Sequence, residues 1–226
     1  MNINFVTRQL IRSSSKGYLS TQFNPKNFTN KKSLMKSPFP YSTFTLTAFD
    51  YDLSPILLLS NLSEHTTNIR ENKNVSLMIC EENKLYEYFP KFDNKIAKIN
   101  YEDPMSRPRV TIIGDIKQSN DDNLKQRFLM RHPASALYAN FSDMNFFKIN
   151  IKSAHLIGGF AQVKWFSKKD LCCKNFLNFK NSEKNIIDHM NQSHQQSVNL
   201  YANKLIINNL KKKKQKRKLE NRWHRP

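Results

Sequence analysis

The residues best placed to do chemistry lie close together in Leu62-Ser-Glu-His-Thr-Thr-Asn-Ile-Arg70, which gathers His65, Thr66, Asn68 and Arg70 within six positions. An imidazole, a hydroxyl, an amide and a guanidinium on one or two helical turns can surround an anion, a phosphate or a carboxylate, with charge-assisted hydrogen bonds. His65 also suits a plainer role, capping a short helix that starts near Ser63.

Such a grip needs elements to hold it. Two apolar runs precede it, Pro40–Phe49 and Pro55–Ser60, joined by the turn-like Asp50-Tyr-Asp-Leu-Ser54, and a third, Val75–Cys80, follows. The order reads as strand, hairpin, strand, helical turn, strand. Within Phe39–Phe49, Phe44, Leu46 and Ala48 alternate with Thr43, Thr45 and Thr47, which predicts a half-buried antiparallel strand with its threonines outside. Lys16–Thr21 reads as a short first strand, residues 22–39 as a loop, and 81–101 as a loop or lid.

Arg107–Gln118 is a long strand in which Val110, Ile112, Gly114 and Ile116 oppose Arg109, Thr111, Ile113 and Asp115; Gly114 suggests a bulge or a barrel corner. Asn120-Asp-Asp122 opens a helix over Leu124–Arg131, with Arg127 and Arg131 toward its end. Phe146–Ile157 is the last strand. The expectation is an α+β, mainly β fold: a six-stranded antiparallel split β-barrel followed by a C-terminal helix. Its parts are a basic arm at 1–15, the barrel domain at 16–168, an amphipathic helix within 182–210 capped by Ser182, and a basic tail at 211–226.

The formal charge of +19 lies mainly at the ends. Residues 1–36 carry seven Lys or Arg and no acid, and residues 211–226 nine Lys or Arg against one Glu, which leaves +4 for 37–210. No aromatic interleaves the terminal basic run before Trp223, so nucleic-acid binding is expected only as nonspecific attraction to the tail. No run approaches the ~20 apolar residues of a membrane span. The basic N-terminus is too broken for a secretory signal and reads as an amphipathic arm or a transit-like segment. Cys80, Cys172 and Cys173 form neither a disulfide framework nor a zinc pattern, and a cytoplasmic location is expected.

Several segments together resemble the haem-utilisation (HugZ-type) branch of the pyridoxamine 5'-phosphate oxidase-like split barrels. They are Gly17-Tyr-Leu-Ser-Thr21, Pro40-Tyr-Ser42, Leu57–Ser60 with Leu62–Asn68, Asn74-Val-Ser-Leu77, Asp103-Pro104, Pro108–Gly114, His132–Tyr138, Phe141-Ser-Asp143 and Gly158-Gly-Phe160. Ile187-Asp-His-Met-Asn-Gln-Ser-His194 also resembles the start of a small C-terminal domain often fused to such barrels, here truncated by the lysine run.

The resemblance implies a homodimer with FMN or haem at its interface and oxidoreductase chemistry, in haem utilisation or degradation. It implies that His65, Thr66, Asn68, Arg70, Arg109 and Thr111 hold the cofactor. Asp143 and Thr21 would orient a ligand or bound oxygen, and His189 and His194 are haem-ligand candidates by region. The residues also admit plainer roles: an ion pair for Arg109, a turn for Asp143, a barrel interior for His155, core packing for His194. A non-catalytic carrier or partner-binding barrel, even the product of a decaying gene, is the alternative function.

Overall fold

The structure, a computed structural model, describes residues 3–24, 37–80, 107–158 and 162–207. The 81–101 segment, Asp103-Pro104, Gly159-Phe160 and the 211–226 tail lie outside the described residues. The fold is α+β, and the chain divides into two compact units, Met1–Lys174 and Asn175–Pro226.

In the first unit helix α1 (Ile3–Ser13) leads to β1 (Lys16–Phe23), β2 (Phe39–Leu46), β3 (Ala48–Phe49) and β4 (Pro55–Ser60). Then come α2 (Glu64–Glu71), β5 (Asn74–Cys80), β6 (Arg109–Gln118), α3 (Asp122–Arg131) and a 3-10 turn at Pro133–Leu137. The unit finishes with β7 (Met144–Ile157), β8 (Val163–Ser167) and α4 (Lys168–Leu171). All pairing is antiparallel, in the order β2-β1-β5-β6-β7-β4-β3, with β8 added to β7. Among the described residues β2 and β3 pair on one side only, so the curled sheet is an open half-barrel.

Six strands were expected and eight are described. The 39–49 run splits at Thr47, and β8 adds a strand that the sequence reading passed over. Before the split the facing differs from the expected one, while Ala48 beyond it is buried as expected. Thr45 and Thr47 are buried, whereas Phe44 is 56% exposed. Phe44 instead meets Tyr18 edge to face on the outside of the sheet, ring centroids 6.2 Å apart.

The long β6–β7 ladder carries the irregularity that Gly114 suggested. Ile113 pairs with Ser153, but Gly114 pairs with Ile151, so Lys152 is the extra residue of a bulge. The strands close tightly there: a Cβ on Gly114 would lie 2.2 Å from the carbonyl oxygen of Asn150. Before the bulge Phe147, Ile149 and Ile151 point inward; after it Ala154 and Leu156 do. One inserted residue shifts the phase of everything beyond it.

The interior is one large cluster in which Val6, Leu10 and Ile11 of α1 pack with Leu19, Leu77, Ile79, Val110, Ile112 and Leu156. Residues 3–13, read from sequence as a basic arm, thus contribute an apolar stripe to the core, with Arg8 and Arg12 turned to the carbonyls of Leu171 and Tyr51. A smaller cluster joins Leu124 and Phe128 of α3 to Ile56, Leu58 and Phe146. Asp121 caps α3 by accepting from Asn123 N, and His132 follows its end, its ring nitrogen bonding to Thr47 O at 2.8 Å.

The Asp50–Ser54 hairpin is an ionic hub. Leu53 takes a left-handed φ of 64° in the turn, Lys148 binds Asp50 at 2.5 Å, and Lys168 binds Asp52 at 3.2 Å.

The second unit starts with α5 (Phe176–Ser193) and α6 (Gln195–Tyr201), continued by a π-helical segment at Ala202–Ile207. The expected continuous helix from Ser182 begins seven residues earlier than that, after Asn175, and breaks at His194. Among the described residues no helix is long and apolar enough to cross a membrane.

Candidate functional site

The residues singled out from sequence fall into three neighbourhoods. The first surrounds α2. Its Asn68 is fully buried and donates Nδ2–H to Thr21 Oγ1 on β1 at 3.0 Å, while the Thr21 hydroxyl donates to Tyr41 O at 3.5 Å. Thr66, also buried, donates its hydroxyl to Ser60 O at 2.7 Å. Asp143 stands at the same strand end, its carboxylate accepting from Ser60 Oγ at 2.5 Å and its carbonyl from Asn61 N at 2.7 Å. These groups mainly satisfy one another and tie α2 to the sheet.

Two polar atoms there have no hydrogen-bond partner, Asn68 Oδ1 and His65 Nε2. Burial holds the pKa of His65 below its ordinary value, because it disfavours the charged ring. His65 lines a groove of about 270 Å³ with Phe44, Leu46, Leu58, Phe128 and Tyr138. Arg70 is exposed at the other end of α2.

Arg109 and Thr111 do not join this group. Arg109 opens β6 opposite Cys80 and Ile157. Ser20 pairs with Ser76, which places Thr21 near the Asn74 end of β5. Five residues of strand, roughly 17 Å, separate the two levels, and the side chains take opposite faces: Thr21 is buried with Leu19, whereas Arg109 and Thr111 alternate with buried Val110 and Ile112. The single anion grip read from sequence is therefore divided, because period-2 alternation sends the β6 cation outward while α2 packs at the far end.

The outer face is the second neighbourhood. Register aligns Phe44, Tyr18, Met78, Thr111, His155 and Trp165 across six strands in one cross-strand row. His155 and Trp165 are stacked, centroids 4.3 Å apart and planes 18° from parallel. Phe44, Tyr18 and Trp165 are about half exposed, as are Ile113 to a lesser degree and Val163 at the margin. Arg109 and Cys80 share this face, where burial pushes the Cys80 thiol up against the opposing charges of Arg109 and Arg107. A sheet face with four aromatic or imidazole rings, a thioether and a guanidinium can receive a planar ligand or a second protein surface.

Tyr18, Met78 and Trp165 were missed from sequence, and His155 was read as a barrel histidine and not as a ligand. Alternation within Lys16–Phe23 carried a signal for Tyr18, and Val163-Lys-Trp-Phe-Ser167 one for Trp165. His155 carried none, since its outward facing follows from the bulge at Lys152.

The third neighbourhood is in the second unit, where His189 and His194 are both exposed and face each other, Nε2 to Nε2, at 3.2 Å. Among the described residues no group of three or more His, Cys, Asp or Glu could hold a metal ion.

Residues 2–171 match the family described as CREG, beta-barrel. The chloroplastic heme oxygenase HOZ of Arabidopsis thaliana is 25% identical over 181 residues, 76% of this chain and 48% of its own length, so the chain spans about half of that relative. Among solved structures, a heme binding protein from Mycobacterium smegmatis superposes with a TM-score of 0.56 at 18% identity, over 73% of this chain and 57% of that one. Campylobacter jejuni ChuZ gives 0.54 at 15% identity, over 75% and 62%. The Agrobacterium tumefaciens protein Atu2129 gives 0.58 at 17% identity, over 79% and 64%. At these identities the structural likeness is one of fold.

Proposed function

The chain belongs to the CREG β-barrel family, and on that premise we propose that it is a haem-binding protein of haem utilisation, working as a homodimer joined through the outer face of the sheet. The observation that carries this reading is the row Phe44–Tyr18–Met78–Thr111–His155–Trp165. Its rings and thioether suit the flat apolar body of a porphyrin, His155 offers an imidazole of the kind that holds haem iron, and Arg109 offers a cation for a propionate. The similarity to HOZ and the shared fold with a mycobacterial heme binding protein support the same ligand class.

Haem held there would supply the redox chemistry; the chain's own part is to ligate, orient and set the local charge. A pairing of faces would also cover exposed Phe44, Tyr18 and Trp165, which a lone subunit leaves in water. FMN is the second candidate ligand, because the same rings stack on an isoalloxazine and Arg109 meets a phosphate equally well. In either case an oxidoreductase is the expected activity.

Absorbance of the purified full chain titrated with haemin, and separately with FMN, tests the reading. A Soret band that saturates near one haem per chain, and that shifts in His155→Ala, is expected. Neither a Soret band nor flavin bands on titration would leave the barrel as a binding scaffold. Sedimentation at micromolar concentration should give a dimer that Trp165→Lys with Tyr18→Lys dissociates; a monomeric wild type would remove the paired-face site.

A further inference from the structure

His194 ends α5 and begins α6 with φ −128° and ψ 26°, outside helical geometry. On an unbroken helix residues five apart stand about 140° from each other around the axis, and their side chains diverge. The break undoes that divergence. It brings the His194 ring against His189 with centroids 5.0 Å apart, planes at 75°, and the two Nε2 atoms 3.2 Å from each other.

That separation has a chemical meaning. Two nitrogens bound to one metal ion at about 2.0–2.1 Å lie about 2.9 Å apart at a right angle and about 3.4 Å apart at the tetrahedral angle. The observed spacing falls between the two. We propose that His189 and His194 form a two-imidazole chelate for a borderline divalent transition-metal ion, of the zinc, nickel or cobalt class, which pins the turn between α5 and α6. Imidazole selects these ions over magnesium and calcium, which prefer oxygen. Both rings are exposed, so the ion enters from solvent. With no third His, Cys, Asp or Glu alongside among the described residues, its remaining positions stay open to water. The site lies beyond residue 171, where the family match ends, and is independent of the haem reading.

A neutral ring donating Nε2–H to its neighbour gives the same distance, and added metal separates the two accounts. Calorimetric titration of the full chain with Ni²⁺ in a non-chelating buffer should show one ion bound per chain. His189→Gln and His194→Gln should each weaken binding by at least about tenfold, while His224→Gln should leave it unchanged. Because side-chain substitution in an exposed helix can loosen it, ¹⁵N-histidine spectra of the unaltered chain give a second reading: Zn²⁺ should shift the ring nitrogens of residues 189 and 194 together. Equal affinities in wild type and the two substituted chains, loss of binding on His224→Gln, or unmoved ring nitrogens at metal saturation would overturn the proposal.

Discussion

His155 and Trp165 stand ring against ring on the outside of the sheet, 4.3 Å between centroids, because one extra residue in β7 turns His155 outward. Continued without the bulge, the alternation of Phe147, Ile149 and Ile151 would bring residues 153 and 155 to the interior and carry Ala154 and Leu156 out. Deletion of Lys152 removes just the extra residue, so Ser153 would follow Ile151 directly and regular alternation would keep His155 outside and Ala154 and Leu156 inside. The deleted chain is therefore expected to fold. Lys152→Ala, which loses only an exposed ion pair with Asp115 at 2.8 Å, should change stability by less than about 1 kcal/mol. Urea midpoints of the two variants check this, and a deletion that fails to fold would refute the phase argument.

Gly114 faces the same bulge. A methyl group there would meet the Asn150 carbonyl oxygen at 2.2 Å, backbone against which no side chain can yield. Gly114→Ala should cost about 1–3 kcal/mol or more. Gly17→Ala meets mainly the Leu77 side chain and the Met78 carbonyl at 3.0 Å, and should be milder. Thermal unfolding of both ranks them; the reverse order would be the wrong result.

The Asn68–Thr21 hydrogen bond joins α2 to β1 in the interior. Asn68→Ala should lower stability by about 1–3 kcal/mol, because the Thr21 hydroxyl loses a buried donor. A double-mutant cycle with Thr21→Val should return a coupling of about 0.5–1.5 kcal/mol. A coupling near zero would show that the bond contributes nothing net.

Stability should fall in acid in two stages. Burial lowers the His65 pKa from 6.5, so the unfolded chain takes up its proton first. That contribution is whole above about pH 6.5 and is lost as pH falls through the folded value. At Asp52 burial raises the pKa, but the Ser54 N–H, Lys148 and Lys168 outweigh it and leave the carboxyl below 3.8. Its contribution is present above about pH 3.8 and disappears further down. Denaturation midpoints from pH 8 to 3 should show both slopes, and His65→Gln should remove only the upper one.

Arg109→Ala tests the outer face. Losing a charge-assisted bond to a propionate or phosphate should cost about 1.5–3 kcal/mol, or roughly one to two decades in Kd. Unchanged cofactor affinity would take Arg109 out of the site.

The strands around the site were legible because apolar alternation and turn residues are local signals: β4, β5 and β6 follow from Pro55–Ser60, Val75–Cys80 and Arg107–Gln118. The acidic opening of α3 and the outward set Arg109, Thr111 and Ile113 could be read in the same way. Resemblance across the barrel segments pointed to a fold class that the family match supports. Facing beyond an irregularity could not be read. Thr45 turns inward and Phe44 outward because Phe44 finds Tyr18 on a neighbouring strand, and His155 turns outward because β7 gains a residue against β6. Each is decided by register between segments distant in sequence. The same limit applies to the sites. Sequence supplied the residue types around Thr21 and Arg109, but only the sheet set those two on opposite faces, and only the break at His194 brought it to His189. Local pattern determines which elements form; the pairing of those elements determines which side chains meet.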